Sequence, residues 1–297
     1  MTDNMRGAVL MLGSMAFFTF NDTFMKSLSD ELPLFQAIFM RGVASCIFIT
    51  ILAVVMGQFR FAFQRGDWVF VTLRTLAEVG AAYFFITALF NAPIANITAI
   101  LQALPLTVTL AGAVFLGEPI GWRRMTAILV GFVGVLLIVK PGFEGFDIYS
   151  LYALATVAVV TLRDLVVRRM SDAVPSLAVA ALGAYAVMIF AGLMSLSEEW
   201  VVPSALAVGQ LGGAVIFIIG AYAFSVMTMR QGDIGMIAPL RYTGLLWALL
   251  LGWLVFDEWP DALTLLGSAI VVATGLFTLL RENSLGRKKV QPAVRIR

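Results

Sequence analysis

Ten stretches of mostly apolar residues run through this chain: 6–26, 34–56, 68–89, 94–116, 123–140, 149–168, 176–196, 208–229, 234–256 and 262–280. A helix needs about twenty such residues to cross the hydrocarbon core of a bilayer. Backbone polar groups in lipid must be satisfied within the segment, so each stretch is expected to be a transmembrane helix. Composition agrees: 61% of the 297 residues are hydrophobic and 13% charged, against about 45–50% and about 25% in a soluble domain. The loops are short, and the longest, near 57–67 and 197–207, leave no room for a soluble domain. The run from Gly7 to about Met25 follows Arg6 but carries no convincing cleavage site. It is read as a retained helix rather than a signal peptide.

The chain also repeats itself. Thr19 to Pro33 reads TFNDTFMKSLSDELP, and Thr161 to Pro175 reads TLRDLVVRRMSDAVP. One spacing relates Thr19 to Thr161, Asp22 to Asp164, Lys26 to Arg168, Ser29 to Ser171, Asp30 to Asp172 and Pro33 to Pro175. Repetition at half the chain length points to a duplicated five-helix unit. The expected units are 1–145 and 146–280, followed by a basic, disordered cytoplasmic tail, 281–297. Five is odd, so the second unit enters the membrane upside down. The charge pattern agrees. With both termini cytoplasmic, only Lys26 and Lys140 among the 20 Lys and Arg residues fall on the outer side, as the positive-inside bias requires. The fold expected is therefore an all-α integral membrane protein of ten transmembrane helices in two inverted five-helix repeats. Such repeats suit alternating access to a site near the midplane.

A second repeated feature closes helices 4 and 9. Leu116-Gly117-Glu118-Pro119 precedes a helix with Gly131, Gly134 and Val135, and Phe256-Asp257-Glu258 precedes one with Gly267 and Gly275. This arrangement resembles the paired EamA-type domains of the drug/metabolite transporter superfamily, over residues 6 to 280. The second copy departs from the pattern, with Trp259 before Pro260. The resemblance implies a ten-helix bundle, a central solute cavity and secondary transport. The superfamily spans exporters and importers of amino acids, nucleotide-linked compounds, sugar phosphates, vitamins and S-adenosylmethionine, so it names no substrate.

Ionisable groups inside membrane helices cost about 2.5–3.5 kcal/mol each on the insertion scale and persist where they meet partners or a wet cavity. Asp22 and Lys26 are spaced i,i+4, as are Arg74 and Glu78, so each pair can meet on one helix face. Arg168 is the expected partner of Asp164, because its neighbour Arg163 points about 100° away on a helix. These six are coupling or gating candidates, with internal neutralisation as the plainer role. Arg41 and Arg241 lack an acid at suitable spacing. Each needs a cross-helix partner, for which Glu78 is a candidate, or an anionic solute. Pro105 and Pro239 interrupt helices 4 and 9, and paired interrupted helices point to a binding site. Packing kinks are the alternative. Gln102 stands by one break, Arg241 and Tyr242 by the other. With Tyr83, Trp247 and Arg41 they are the candidate substrate-binding residues, and Tyr222 is a further deep aromatic. Trp68, Trp122, Trp200 and Trp259 read as interfacial anchors.

The function expected is secondary transport of a small organic metabolite. Aromatic, amide and guanidinium groups suit a planar polar heterocycle, with riboflavin import favoured over S-adenosylmethionine uptake or amino-acid efflux. Asp22 or Glu78 is a candidate carrier of a coupling proton, and facilitated diffusion is the alternative. With no histidine and only Cys46, no metal site, cofactor or enzymatic centre is expected. A structural or signalling membrane protein is the alternative of a different class. Net charge is +2, with no nucleic-acid motif and no obligate protein partner evident. The expected location is the bacterial inner membrane, and the partners are the lipid bilayer and the solute.

Overall fold

A computed structural model describes residues 3–61, 63–141, 146–171, 174–229 and 237–290. The regular secondary structure of the described residues is helical, with ten helical segments long and apolar enough to cross a membrane. The helices are α1 (Asp3–Ser27), α2 (Leu34–Val55), α3 (Arg65–Asn91), α4 (Ile94–Leu101), α5 (Leu104–Leu116), α6 (Trp122–Val139), α7 (Ile148–Val167), α8 (Ser176–Met194), α9 (Ala205–Met229), α10 (Thr243–Phe256) and α11 (Ala262–Val290). Short 3₁₀ turns lie at Ser195–Ser197 and Ala238–Tyr242.

The fourth span is two helices because Pro105, at the second position of α5, has no N–H to donate to Leu101. Gln102 and Ala103 carry the chain between them with helical backbone angles. In the ninth span Pro239 lies in the 3₁₀ turn that leads into α10. Hydroxyls within the spans bond back along their own helices, as Thr19 does to Met15 O (2.9 Å) and Thr23 to Thr19 O (2.8 Å). Such bonds satisfy a polar side chain where water is absent.

The halves interleave. α1 packs along α9, α2 along α8, α3 along α7 and α6 along α11. Close approach rests on glycine. A Cβ on Gly134 would come within 2.8 Å of the backbone oxygen of Gly267, and one on Gly267 within 2.5 Å of that of Gly134. One buried cluster joins Ile97, Ile100, Val135, Val157, Leu245 and Val271. Another joins Met25, Leu28, Ile38, Ile86, Leu89 and Ile94. Many apolar side chains instead face outward, among them Ile47, Val55, Phe115, Leu196 and Ile216. In water that surface would aggregate; against lipid it is the solvent-facing side.

One expectation fails at the C-terminus. α11 runs on to Val290, so residues 281–290 are helical rather than disordered. Arg281, Glu282, Leu285, Arg287, Lys288 and Lys289 in this segment are good helix formers. Residues 291–297 lie outside the described residues, as does Gly235 of the ninth span.

Candidate solute site

The interior charges fall into two groups. Asp22 of α1 and Arg41 of α2 form the first. Asn21 Nδ2 donates to the Asp22 carboxylate at 2.9 Å, and Arg41 is the cation that faces it. Among the described residues, no cation lies within ion-pairing distance of Asp22, and the Arg41 guanidinium makes no hydrogen bond. The second group is tightly paired. Arg163 Nη1 lies 3.4 Å from Glu78 Oε2, and Arg163 Nη2 lies 3.0 Å from Asp164 Oδ1. Arg74 Nη2 lies 3.8 Å from Glu78, and its Nη1 donates to Val179 O at 3.3 Å. Gly183 of α8 makes room for this group, since a Cβ there would press on Glu78 Cγ (3.2 Å) and Arg74 Nη1 (3.4 Å).

Tyr222 of α9 links the groups. It interacts electrostatically with Glu78, Arg41, Arg163 and Arg74, yet leaves 51% of its surface uncovered. It is thus a half-open ring facing charges from α2, α3 and α7. The sequence placed Tyr222 among the deep aromatics but offered no reason to rank it first.

Several expected pairings are corrected. Lys26 does not pair with Asp22. Its Nζ lies 2.7 Å from Glu258 Oε1 and donates to Ala92 O at 2.5 Å, because the last turn of α1 meets the α3–α4 junction and the end of α10. Arg168 does not pair with Asp164. Its Nη1 lies 2.7 Å from Glu118 Oε1, and Asp164 is held by adjacent Arg163 instead. The long arginine side chain folds back, which a count of helical angles does not foresee. Glu78 is taken by Arg163 and Arg74, so it is not the partner of Arg41 or Arg241. The Arg74–Glu78 pair stands as expected.

The remaining candidates lie apart from the charges. Tyr83 stacks on Phe35 (5.9 Å, planes 5° apart) in an aromatic group with Phe190, Phe84 and Tyr152. Gln102 approaches α10, its Nε2 3.8 Å from where a Cβ on Gly244 would sit. Trp247 meets Phe20 at 6.4 Å. Tyr242 is buried with its hydroxyl against Gly275, where it finds no hydrogen-bond partner among the described residues. Arg241 is exposed. Trp68, Trp122, Trp200 and Trp259 are also exposed.

Residues 5–140 match the EamA-like transporter family. A pseudopaline exporter of Pseudomonas aeruginosa is 30% identical to the chain over 276 residues, covering 89% of this chain and 93% of the exporter. The chain belongs to the EamA-like transporter family. This EamA-like protein is thus an integral membrane transporter and not an enzyme. An S-adenosylmethionine uptake transporter of Rickettsia conorii is 26% identical over 91% of this chain and 90% of its own length. A riboflavin transporter of Vibrio cholerae is 25% identical over 72% of each. One solved crystal structure shares the fold, with a TM-score of 0.64 and 18% identity over 96% of this chain and 99% of its own.

Proposed function

We propose that this transporter moves a small metabolite by alternating access, with the solute held in the space bordered by Asp22, Arg41 and Tyr222. The two units, 1–145 and 146–280, act as inverted repeats around that space, with both termini in the cytoplasm of a bacterium and the bundle in its inner membrane. The observation that carries the reading is the unsaturated Asp22–Arg41 group beside an open tyrosine face. A solute with an ammonium and a carboxylate gains a partner for each, and a planar ring stacks on Tyr222. S-adenosylmethionine has those parts, and the relatives named for its uptake align along most of the chain. Its uptake is the leading reading. Asp22 and Glu78 are the carboxylates available to carry a coupling proton, and Gln102 and Trp247 stand where the breaks let helices move. The interior supports this function over a purely structural role, because unpaired charges in lipid cost too much to keep without use.

Riboflavin is the second reading, favoured by the stacked Tyr83–Phe35 pair. It offers no ammonium–carboxylate pair for Asp22 and Arg41. The test is uptake of each labelled solute into cells lacking their own carriers and expressing the protein. Saturable S-adenosylmethionine uptake, lost in Asp22→Asn at unchanged membrane abundance, is expected. Riboflavin uptake without S-adenosylmethionine uptake would reverse the order of the two readings, and uptake of neither would refute both.

A further inference from the structure

Ion pairs join the two halves at each end of the bundle, Lys140–Asp261 among them, and one pair at each end is built alike. Lys26 and Arg168 occupy matching places in the duplicated stretch, each beside the last turn of its helix. Glu118 and Glu258 each follow a residue in the left-handed region, Gly117 (φ 69°) and Asp257 (φ 53°). Each glutamate N–H closes the same turn, onto Gly112 O at 3.2 Å and Gly252 O at 2.9 Å. The pairing is crossed: Lys26 of the first half takes Glu258 of the second, and Arg168 of the second takes Glu118 of the first, both at 2.7 Å.

The pairs sit at opposite ends. Lys26 touches Ala92 just past the end of α3, whereas Ser171, three residues beyond Arg168, donates its N–H to Asp67 at the start of α3 (3.1 Å). Asp67 and Ala92 are about 38 Å apart along the helix at 1.5 Å per residue.

We propose that Lys26–Glu258 and Arg168–Glu118 are the two gates of the transporter, so that Glu118 and Glu258 are gating residues alongside Lys26 and Arg168. This rests on the alternating-access reading above. Each pair ties a helix end of one half to the turn after the interrupted span of the other, and so must break before its end can open. Both are made here, so this is the form closed at both ends. The gates differ in strength. The Lys26 and Glu258 side chains are 9% and 24% exposed, and Glu258 also accepts the N–H of Ile94 at 3.2 Å. The Arg168 and Glu118 side chains are 42% and 46% exposed, where water weakens a pair. The Arg168 gate is the one that opens first. Because both gates join the same two halves, opening one end favours keeping the other shut.

The test reads the gates without any solute, which separates it from the uptake test. Thr19 and Thr161 are matched, buried residues about two turns along the helix from Lys26 and Arg168. Thr19→Cys and Thr161→Cys are placed singly in full-length protein carrying Cys46→Ser, and labelled with a water-soluble thiol reagent. Glu258→Gln is expected to speed labelling of the Thr19→Cys reporter by roughly tenfold and to slow that of the Thr161→Cys reporter; Glu118→Gln does the reverse. Lys26→Gln, which breaks the same pair from its other side, shifts both rates in the same directions as Glu258→Gln. Faster labelling at one end with no slowing at the other would overturn the proposal, leaving two independent staples. So would unchanged rates, or opposite shifts in Lys26→Gln and Glu258→Gln.

Discussion

Asp22 and Asp164 hold the same place in two copies of one stretch, yet their surroundings differ. Asp164 is clamped at 3.0 Å by Arg163, which also holds Glu78. Asp22 has an amide hydrogen bond and faces an arginine on another helix. The copies share a helix position and differ in the residues beside it: Asn21 in the first, Arg163 in the second. The second carboxylate is spent on a local ion pair, whereas the first keeps room for a further partner. A saturated ion network has little to offer a ligand, because binding must first break existing pairs. An unsaturated pair gains by binding.

The largest expected effect follows directly. Asp22→Asn should lower S-adenosylmethionine uptake by roughly ten- to a hundredfold, the scale of a lost charge-assisted hydrogen bond, as read from initial rates at matched protein levels. Arg41→Gln should act on the same side, mainly by raising KM, because it removes the cation proposed to receive the solute's carboxylate. Asp164→Asn should leave uptake within about threefold of the parent, since Glu78 still neutralises Arg163. Near-equal losses in Asp22→Asn and Asp164→Asn would erase the distinction.

Arg163→Met should show as lost stability, because it leaves Asp164 without its cation and Glu78 with Arg74 alone. These groups are partly exposed, so the cost is set at about 1–3 kcal/mol, below that of a fully buried pair. A falling melting temperature in detergent would measure it.

The smallest effect concerns the rim. The hydrogen bond from Lys140 holds the Asp261 carboxyl below the usual carboxylate range, helped by the Thr264 N–H. A depressed folded-state value stabilises above the unfolded carboxylate value and is lost as pH falls through the folded one. Lys140→Met should therefore destabilise slightly at neutral pH and not at strongly acidic pH, as thermal melts at the two pH values would reveal.

The spans were legible because the bilayer dictates the length and composition of each crossing. The breaks at Pro105 and Pro239 were legible because proline lacks a donor. Partners were not legible. An i,i+4 spacing allowed Asp22 to meet Lys26 without requiring it, and the actual partner, Glu258, lies 232 residues away. The sequence does hold one signal of partnership: Lys26/Arg168 and Glu118/Glu258 recur at nearly the same spacing, which pairs them crosswise once the halves interleave. Tyr222 gave no local signal, since only the assembled bundle sets a half-open ring among charges from three other helices.

Equilibrium binding of labelled S-adenosylmethionine to the purified protein tests the account most directly, with Asp22→Asn and Asp164→Asn compared side by side. Saturable binding by the parent and by Asp164→Asn, lost in Asp22→Asn, is the predicted result. Binding kept in Asp22→Asn, or lost only in Asp164→Asn, would contradict it.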